Sequence, residues 1–358
     1  MTRRSFADLT LDELAAVRPP GAPAPLLRRL HDVARWEPDA AGVRHPKLGR
    51  DLREFVEEHL DLALPSTVAR TSSADGSTKL LLALDDGKTI EAVHMPRAVK
   101  NPRVTLCISS QVGCAMGCTF CLTAQMGLVR NLTAAEIVGQ VLRTVLELGP
   151  ADRGRISLVF MGMGEPLHNV DAVIRALDVL CDEAGLGLAP MRITVSTSGL
   201  VDGIRALAKA KHRPCLALSL NATTDAERSE LMPITKRHDL ASLRRALAEY
   251  PTRPHEKLTI EYVLLAGRND RREDAERIAA FVTGLKCVVN VIPFNPHEGG
   301  GFARPDDESV KRFASWLHVA GCLVTTRTSR GRDVGGACGQ LATLTSLRRR
   351  PTKEMPER

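Results

Sequence analysis

Cys114, Cys118 and Cys121 form a C-x3-C-x2-C run within SSQVGCAMGCTFCLTAQMG. Deprotonated thiols are nucleophiles and metal ligands. Gly113, Gly117 and Gly127 interrupt the stretch, so its backbone can wrap closely around a bound object. Three thiolates are too few for a closed structural zinc site, which takes four ligands. A 4Fe–4S cluster is also normally held by four cysteines. A cluster gripped by three keeps one iron open to another ligand. A zinc loop or chance spacing is the competing reading, because short motifs recur by accident.

The chain has nine cysteines, an odd number, and its start (MTRRSFADLTLDELAAVRPP) has no apolar export signal. Reduced thiols in the cytoplasm are therefore expected, not a disulfide framework. Cys181, Cys215, Cys287 and Cys322 lie in apolar periodic stretches such as ALDVLCDEAG and PCLALSL and are expected to be small buried hydrophobes. Cys107 lies in RVTLCISSQ, and Cys338 reads as a loop thiol in GGACGQ.

Alternating strand-like and helix-like segments from Arg103 onward must position these groups. RVTLCISSQ, RISLVFMGMGE, RITVSTSG, PCLALSLNA, KLTIEYVLLAG and CVVNVIPFNP read as strands. TAAEIVGQVLRTVLELG is the clearest helix: Thr133 and Glu136 form a capping box, and Ile137, Val138, Val141, Leu142, Val145 and Leu148 share a face. Further helices are expected at VDAVIRALDVLCDEAG, DLASLRRALAEY, EDAERIAAFVTGL and DESVKRFASWLHVAG. Six such repeats make an open or partial barrel of about 200 residues. Parallel α/β folds bind ligands at the carboxyl ends of their strands. Here those ends read Gly162-Met163-Gly164-Glu165, Ser196-Thr197-Ser198-Gly199, Ser219-Leu220-Asn221 and Phe294-Asn295-Pro296. Each alone is an ordinary turn; together they describe a ligand crown.

Residues 1–75 read as a small helical accessory domain from LDELAAV, PAPLLRRLHDVARW and RDLREFVEEHL, with a Pro-rich break at Arg18–Pro25. Residues 76–102 read as a hairpin and linker, turning at Asp85-Asp86-Gly87. The core is placed at 103–340 and a basic, disordered tail at 341–358. Glu91 falls on the second hairpin strand, where spacing alone makes it a solvated residue. Lys209-Ala210-Lys211-His212-Arg213 and Lys236-Arg237-His238 read as solvated helix ends.

Composition bounds the function classes. The 358 residues are 44% hydrophobic and 25% charged, which excludes a disordered or collagen-like chain. No apolar run is long enough to span a membrane. Lys and Arg exceed Asp and Glu by 49 to 42, a net +7, and the pI is near 9.0. That balance suits a polyanionic partner or an Arg-rich proteome equally. Only 3% of residues are aromatic, which excludes an RNA surface built mainly from stacked rings.

The three-cysteine spacing resembles that of the radical S-adenosylmethionine (SAM) enzymes. TLCISSQVGCAMGCTFCLTAQMGLVRNLTAAEIVGQV, MGMGEPLHN, VSTSGL, LALSLNA, LMPITKRHDL, VIPFNP and GGACGQL together resemble the RlmN and Cfr family of RNA methyltransferases. The resemblance is colinear over roughly 79–341, and TAQMG is closer to RlmN. It implies a partial (β/α)6 radical SAM barrel with a small helical N-terminal accessory domain that helps grip RNA. It also implies a 4Fe–4S cluster on Cys114, Cys118 and Cys121, with SAM chelating the open iron. Gly164, Glu165, Ser196, Ser219, Leu220, Asn221 and Asn295 match SAM contacts. Cys338 matches the cysteine that is methylated and carries the methyl carbon to RNA; Cys107 matches the resolving thiol, and Glu91 the proton acceptor.

The implied product is adenine methylated at C2 in 23S rRNA, with certain tRNAs as further substrates. C2 is electron-poor and cannot attack a sulfonium methyl, so the implied route is radical. One SAM methylates Cys338, and a second yields a 5′-deoxyadenosyl radical that activates the S-methyl group. The activated carbon adds to the base, Glu91 takes the ring proton, and Cys107 releases the RNA by forming a disulfide with Cys338. A flavodoxin or ferredoxin as electron donor and a monomeric state are expected. The N-terminal segment departs from the family pattern: it is poor in aromatics and carries a Pro-rich insertion. Alternatives are C8 methylation as in Cfr, an RlmN-like paralogue with another RNA, another radical SAM enzyme with Cys338 a bystander, or a zinc-loop RNA-binding protein without catalysis.

Overall fold

Val104, Leu106, Ile156, Leu158 and Phe160 recur at the two-residue period of a strand, and all are buried. In the computed structural model, which describes residues 3–17, 54, 58–61, 63–97, 103–148, 156–183, 186–297, 301–327 and 329–342, such runs assemble one ten-stranded sheet. Its strands are β1 (Ser66–Ser72), β2 (Thr78–Ala83), β3 (Thr89–Arg97), β4 (Arg103–Cys107) and β5 (Ile156–Phe160). They continue as β6 (Ile193–Thr197), β7 (Cys215–Ser219), β8 (Leu258–Leu264), β9 (Cys287–Pro293) and β10 (Val324–Thr326). The spatial order is the chain order. β1 to β4 pair antiparallel, and β4 to β10 run parallel. The two ends of the sheet are not paired with each other, so the parallel strands form an open barrel wall. This is the expected α/β partial barrel.

Helices return the chain between parallel strands: α1 (Ala134–Leu148), α2 (Val170–Leu180), α3 (Val201–Ala208), α4 (Asp225–Leu231), α5 (Leu240–Glu249), α6 (Arg272–Val282) and α7 (Asp307–Val319). The capping box of α1 is formed: the Thr133 N–H donates to Glu136 Oε2 at 2.8 Å, and the Glu136 N–H to Thr133 Oγ1 at 3.1 Å. Its apolar stripe from Ile137 to Val145 is buried against the sheet.

The hairpin turns as expected, with the Gly87 N–H bonded to Leu84 O at 2.9 Å. The N-terminal expectation differs at its end. β1 lies within the supposed helical segment and pairs with β2, so the sheet begins before residue 75. Its side chains are mostly exposed and polar, which conceals the apolar alternation a strand usually shows. The helix Leu11–Val17 is present, but PAPLLRRLHDVARW, most of RDLREFVEEHL and residues 343–358 of the tail lie outside the described residues. Arg175 of α2 ties the N-terminal segment down through Asp8 at 3.1 Å and Glu13 at 2.5 Å. Cys181 and Cys322 are buried as expected, whereas Cys215 and Cys287 are only half-buried because each begins a strand. Among the described residues no helix is long and apolar enough to cross a membrane.

Candidate active site

The carboxyl ends of the parallel strands open onto a cavity of about 160 Å³. Cys114, Cys118 and Cys121 line one side of it. Their loop is closed at its base by pairing of Gln111–Gly113 with Leu128–Asn131, and the Cys114 N–H donates to Gly127 O at 3.0 Å. Only glycine fits at 113: φ is +76°, and a Cβ there would lie 1.9 Å from Gly127 O. Phe120, Leu231, Met232 and Phe294 form a small apolar cluster against which Cys118 and Cys121 pack.

Burial pushes the Cys114 thiol up to about 12 and raises Cys118 and Cys121, and neighbouring sulfurs add to it: Cys121 acts on Cys114 and Cys118, and Cys338 on Cys121. A cationic centre among them would reverse that cost. Among the described residues no three His, Cys, Asp or Glu side chains are gathered closely enough for one metal ion. An iron–sulfur cube takes each thiolate on a different iron, so its ligands stand further apart than ligands around a single ion. Three buried sulfurs on one glycine-rich loop fit the cube better than a single zinc ion.

The strand ends supply the opposite wall. Gly164, Glu165, Ser196, Ser219, Asn221 and Asn295 all line the cavity. Glu165 is buried; its two carboxylate oxygens accept the Leu167 N–H at 3.0 Å and the Ser198 N–H at 2.7 Å. Burial still raises its carboxyl above the ordinary value, against those hydrogen bonds. Asn221 adopts φ 58°, a left-handed conformation that Asn tolerates, and its Oδ1 accepts the Val263 N–H at 2.9 Å. Leu220 is the exception. It is buried beneath the cavity wall and contributes its backbone, through Leu220 N–H to Glu261 O at 2.9 Å. Asn295 Oδ1 and Ser198 Oγ are buried without a protein partner among the described residues, and both residues line the cavity. Orphaned acceptors and donors of this kind suit a polar ligand such as SAM.

Cys338 is on the loop after β10. Its carbonyl accepts from Asn295 Nδ2 at 3.3 Å, and the next carbonyl, Gly339 O, accepts the Leu122 N–H at 2.8 Å. It lines the large cavity and also a second, smaller one that contains Cys107, Met161 and Arg327. Both thiols are free. Cys107 is buried at the end of β4, and its thiol is pushed up to about 12 by burial and by the Cys338 sulfur. Glu91 lines neither cavity. Far from solvated, it is 4% exposed, with Lys79 Nζ at 3.0 Å and the Ala342 N–H donating to its Oε2 at 2.9 Å. Strand register explains the burial: Glu91 lies opposite Leu81, under the loop that carries Cys338.

Three residues of the site carried no signal of their own in the sequence: Arg228, Glu261 and Arg327. Arg228 on α4 is fully buried and donates to Leu220 O, Ser219 O and Ser198 O at 3.0, 3.0 and 2.6 Å and to Thr235 Oγ1 at 2.8 Å. It fastens the loops after β6 and β7 to each other. Arg213, read as solvated, is instead buried in a two-pronged pair with Glu256 at 2.8 Å.

Comparisons with known proteins agree with this geometry. The Radical SAM superfamily matches residues 108–282. The chain is 49% identical over 277 residues to the dual-specificity RNA methyltransferase RlmN of Desulfosudis oleivorans, covering 77% of this chain and 73% of that protein. It is 38% identical to the protein of the same name from Campylobacter fetus subsp. fetus, covering 94% and 98%. A crystal structure of a radical SAM methyltransferase from Sphaerobacter thermophilus superposes with a TM-score of 0.85 at 39% identity, covering 94% and 99%. Identity of 38–49% over most of each chain, on a barrel that carries its cysteines at the strand ends, establishes that this chain belongs to the RlmN family of the radical SAM superfamily.

Proposed function

We propose that this protein methylates C2 of an adenine in 23S rRNA, and in tRNA as a second substrate, with Cys338 as the methyl carrier. The observation that carries this reading is the position of Cys338, whose residue forms part of the walls of two cavities. On one side it faces the three-cysteine loop and the polar strand ends; on the other it faces Cys107. A carrier sulfur needs such access to a methyl donor first and to a resolving thiol last.

Cys114, Cys118 and Cys121 would hold the 4Fe–4S cluster, which supplies the electron that splits SAM. Glu165, Ser196, Ser219, Asn221 and Asn295 would bind and orient SAM, and the unpartnered Asn295 Oδ1 and Ser198 Oγ would gain partners from it. The apolar cluster packed against Cys118 and Cys121 would help shield those two sulfurs from water. Glu91 has its carboxyl raised by burial, against the Lys79 ammonium, which moves its proton affinity toward that of a general base. It stands beneath the Cys338 loop, bonded to the Ala342 N–H, and would hold the proton taken from the base. Cys107 would attack the Cys338 sulfur to release product. The RNA methyltransferase names of the relatives support the substrate class.

The test is anaerobic turnover of the cluster-loaded protein with SAM, reductant and rRNA or tRNA, read by mass spectrometry of nucleosides. 2-Methyladenosine is expected, and Cys338→Ala should abolish it. Normal methylation by that variant, or 8-methyladenosine as the product, would overturn the reading.

A further inference from the structure

Glu261 and Arg327 have no task in the mechanism above. Glu261 stands on β8 and is buried; Arg327 directly follows β10. One carboxylate oxygen of Glu261 lies 3.7 Å from Arg327 Nη1, and the other accepts from Ser196 Oγ at 3.1 Å. Arg327 Nη1 also donates to Met161 Sδ at 3.5 Å, and the Arg327 N–H bonds to Val291 O at 2.9 Å. The pair therefore crosses the partition between the cavities: Glu261 lines the large one, and Arg327 lines the small one with Cys107 and Cys338.

An ion pair with its carboxylate buried and its arginine side chain about three-quarters covered contributes little net stability, because desolvation offsets the attraction. The neighbouring Thr325 and Thr326 face solvent, so an arginine at this sheet edge had water available. Its inward placement, beside two sulfurs, matches the way charged groups are gathered where reacting atoms need them.

We propose that Arg327, itself positioned by Glu261, stabilises the Cys338 thiolate from which methyl transfer to that sulfur starts. The inference rests on the methyl-carrier reading of Cys338. The step is a displacement. A lone pair of the Cys338 thiolate, its proton already lost to water, forms the new S–C bond. The C–S⁺ bond of SAM breaks, and its electron pair neutralises the sulfonium to leave S-adenosylhomocysteine. No oxidant or reductant is consumed.

The electrostatics agree with the placement. The strongest influence keeping Arg327 charged is the Cys338 sulfur, acting against burial, and Arg327 in turn favours charge at Cys107. Other charged or titratable groups around Cys338 are Arg330 in the small cavity, and Glu165 and the three loop cysteines in the large one.

The experiment uses the full cluster-loaded chain, incubated anaerobically with SAM but without RNA, following methyl gain on the Cys338 peptide by mass spectrometry. For Arg327→Gln the rate at saturating SAM is expected to fall by at least about tenfold while KM for SAM changes by less than about twofold. Arg327→Lys should recover most of the rate, and Glu261→Gln should fall between. A wild-type rate in Arg327→Gln overturns the inference. So does an equal loss in the Lys and Gln variants accompanied by a matching rise in KM, because the pair would then shape the SAM pocket and not the thiol. Should the unaltered protein gain no methyl on Cys338, the carrier reading falls first and takes this inference with it.

Discussion

Arg228 shows how much one side chain can organise. A guanidinium sealed from water is tolerated only when its donors are met, and Arg228 meets them with three carbonyls and a hydroxyl. Burial lowers its pKa to about 10, which leaves it charged at neutral pH beside Cys118 and Glu165. Arg228→Met should destabilise the chain by about 3 kcal/mol, read as a lower unfolding midpoint, and weaken SAM binding because two strand-end loops lose their fastener. Unchanged binding would show that the loops hold themselves. Glu91 makes a second case. Burial raises its carboxyl above the ordinary 4.5, so its contribution to stability is complete below about 4.5 and is lost as pH rises through the raised value. Glu91→Gln, fixed in the neutral form, should gain stability relative to the unaltered chain across that rise; a gap independent of pH would contradict the shift. Single residues were legible only where type and spacing were unusual. The cysteine run stood out, whereas Arg228 resembles any surface arginine until the fold closes over it.

At the scale of elements, the cysteine loop depends on its base. Gly127 O approaches Gly113 so closely that a Cβ would lie 1.9 Å from it, so Gly113→Ala should push the two loop arms apart. Iron and sulfide bound per chain after anaerobic reconstitution should then fall severalfold, and full loading would show that the loop adapts. The N-terminal clip offers another test. The Arg175 hydrogen bond lowers Glu13 from 4.5 to about 2, so the clip's contribution is present above 4.5 and fades as pH falls toward 2. Arg175→Ala should expose residues 3–17 to limited proteolysis at neutral pH, and an unchanged cleavage pattern would assign their docking to Phe6 and Leu9. The six strands and five core helices expected from periodicity are all present, because each buries one face on a common core. β1 escaped notice because an exposed edge strand has no buried face to announce it, and α3 and α4 because seven or eight residues carry too few turns for a clear stripe.

For the whole molecule, a net charge of +7 with few aromatics predicts that an RNA substrate would be held through charge and shape more than through stacked rings. Affinity for an rRNA fragment should fall steeply with salt, and a flat log–log dependence would contradict electrostatic capture. Charge balance was readable in the sequence, but the presence of two cavities that share Cys338 in their walls was not. It arises from a C-terminal loop returning across the sheet, a long-range event without a local pattern. That return also bears on how the chain matures. Every strand of the ten-stranded sheet lies beside the sheet strand that precedes it in the chain, so a ribosome can add to that sheet as each strand emerges, without waiting for distant partners. The return reaches furthest back, from Asp333 to Ser73, from Leu341 to Thr123 and from Ala342 to Glu91. The sheet can thus be nearly finished before Cys338 is made, and the walls of the two cavities are completed only when this returning segment closes over it.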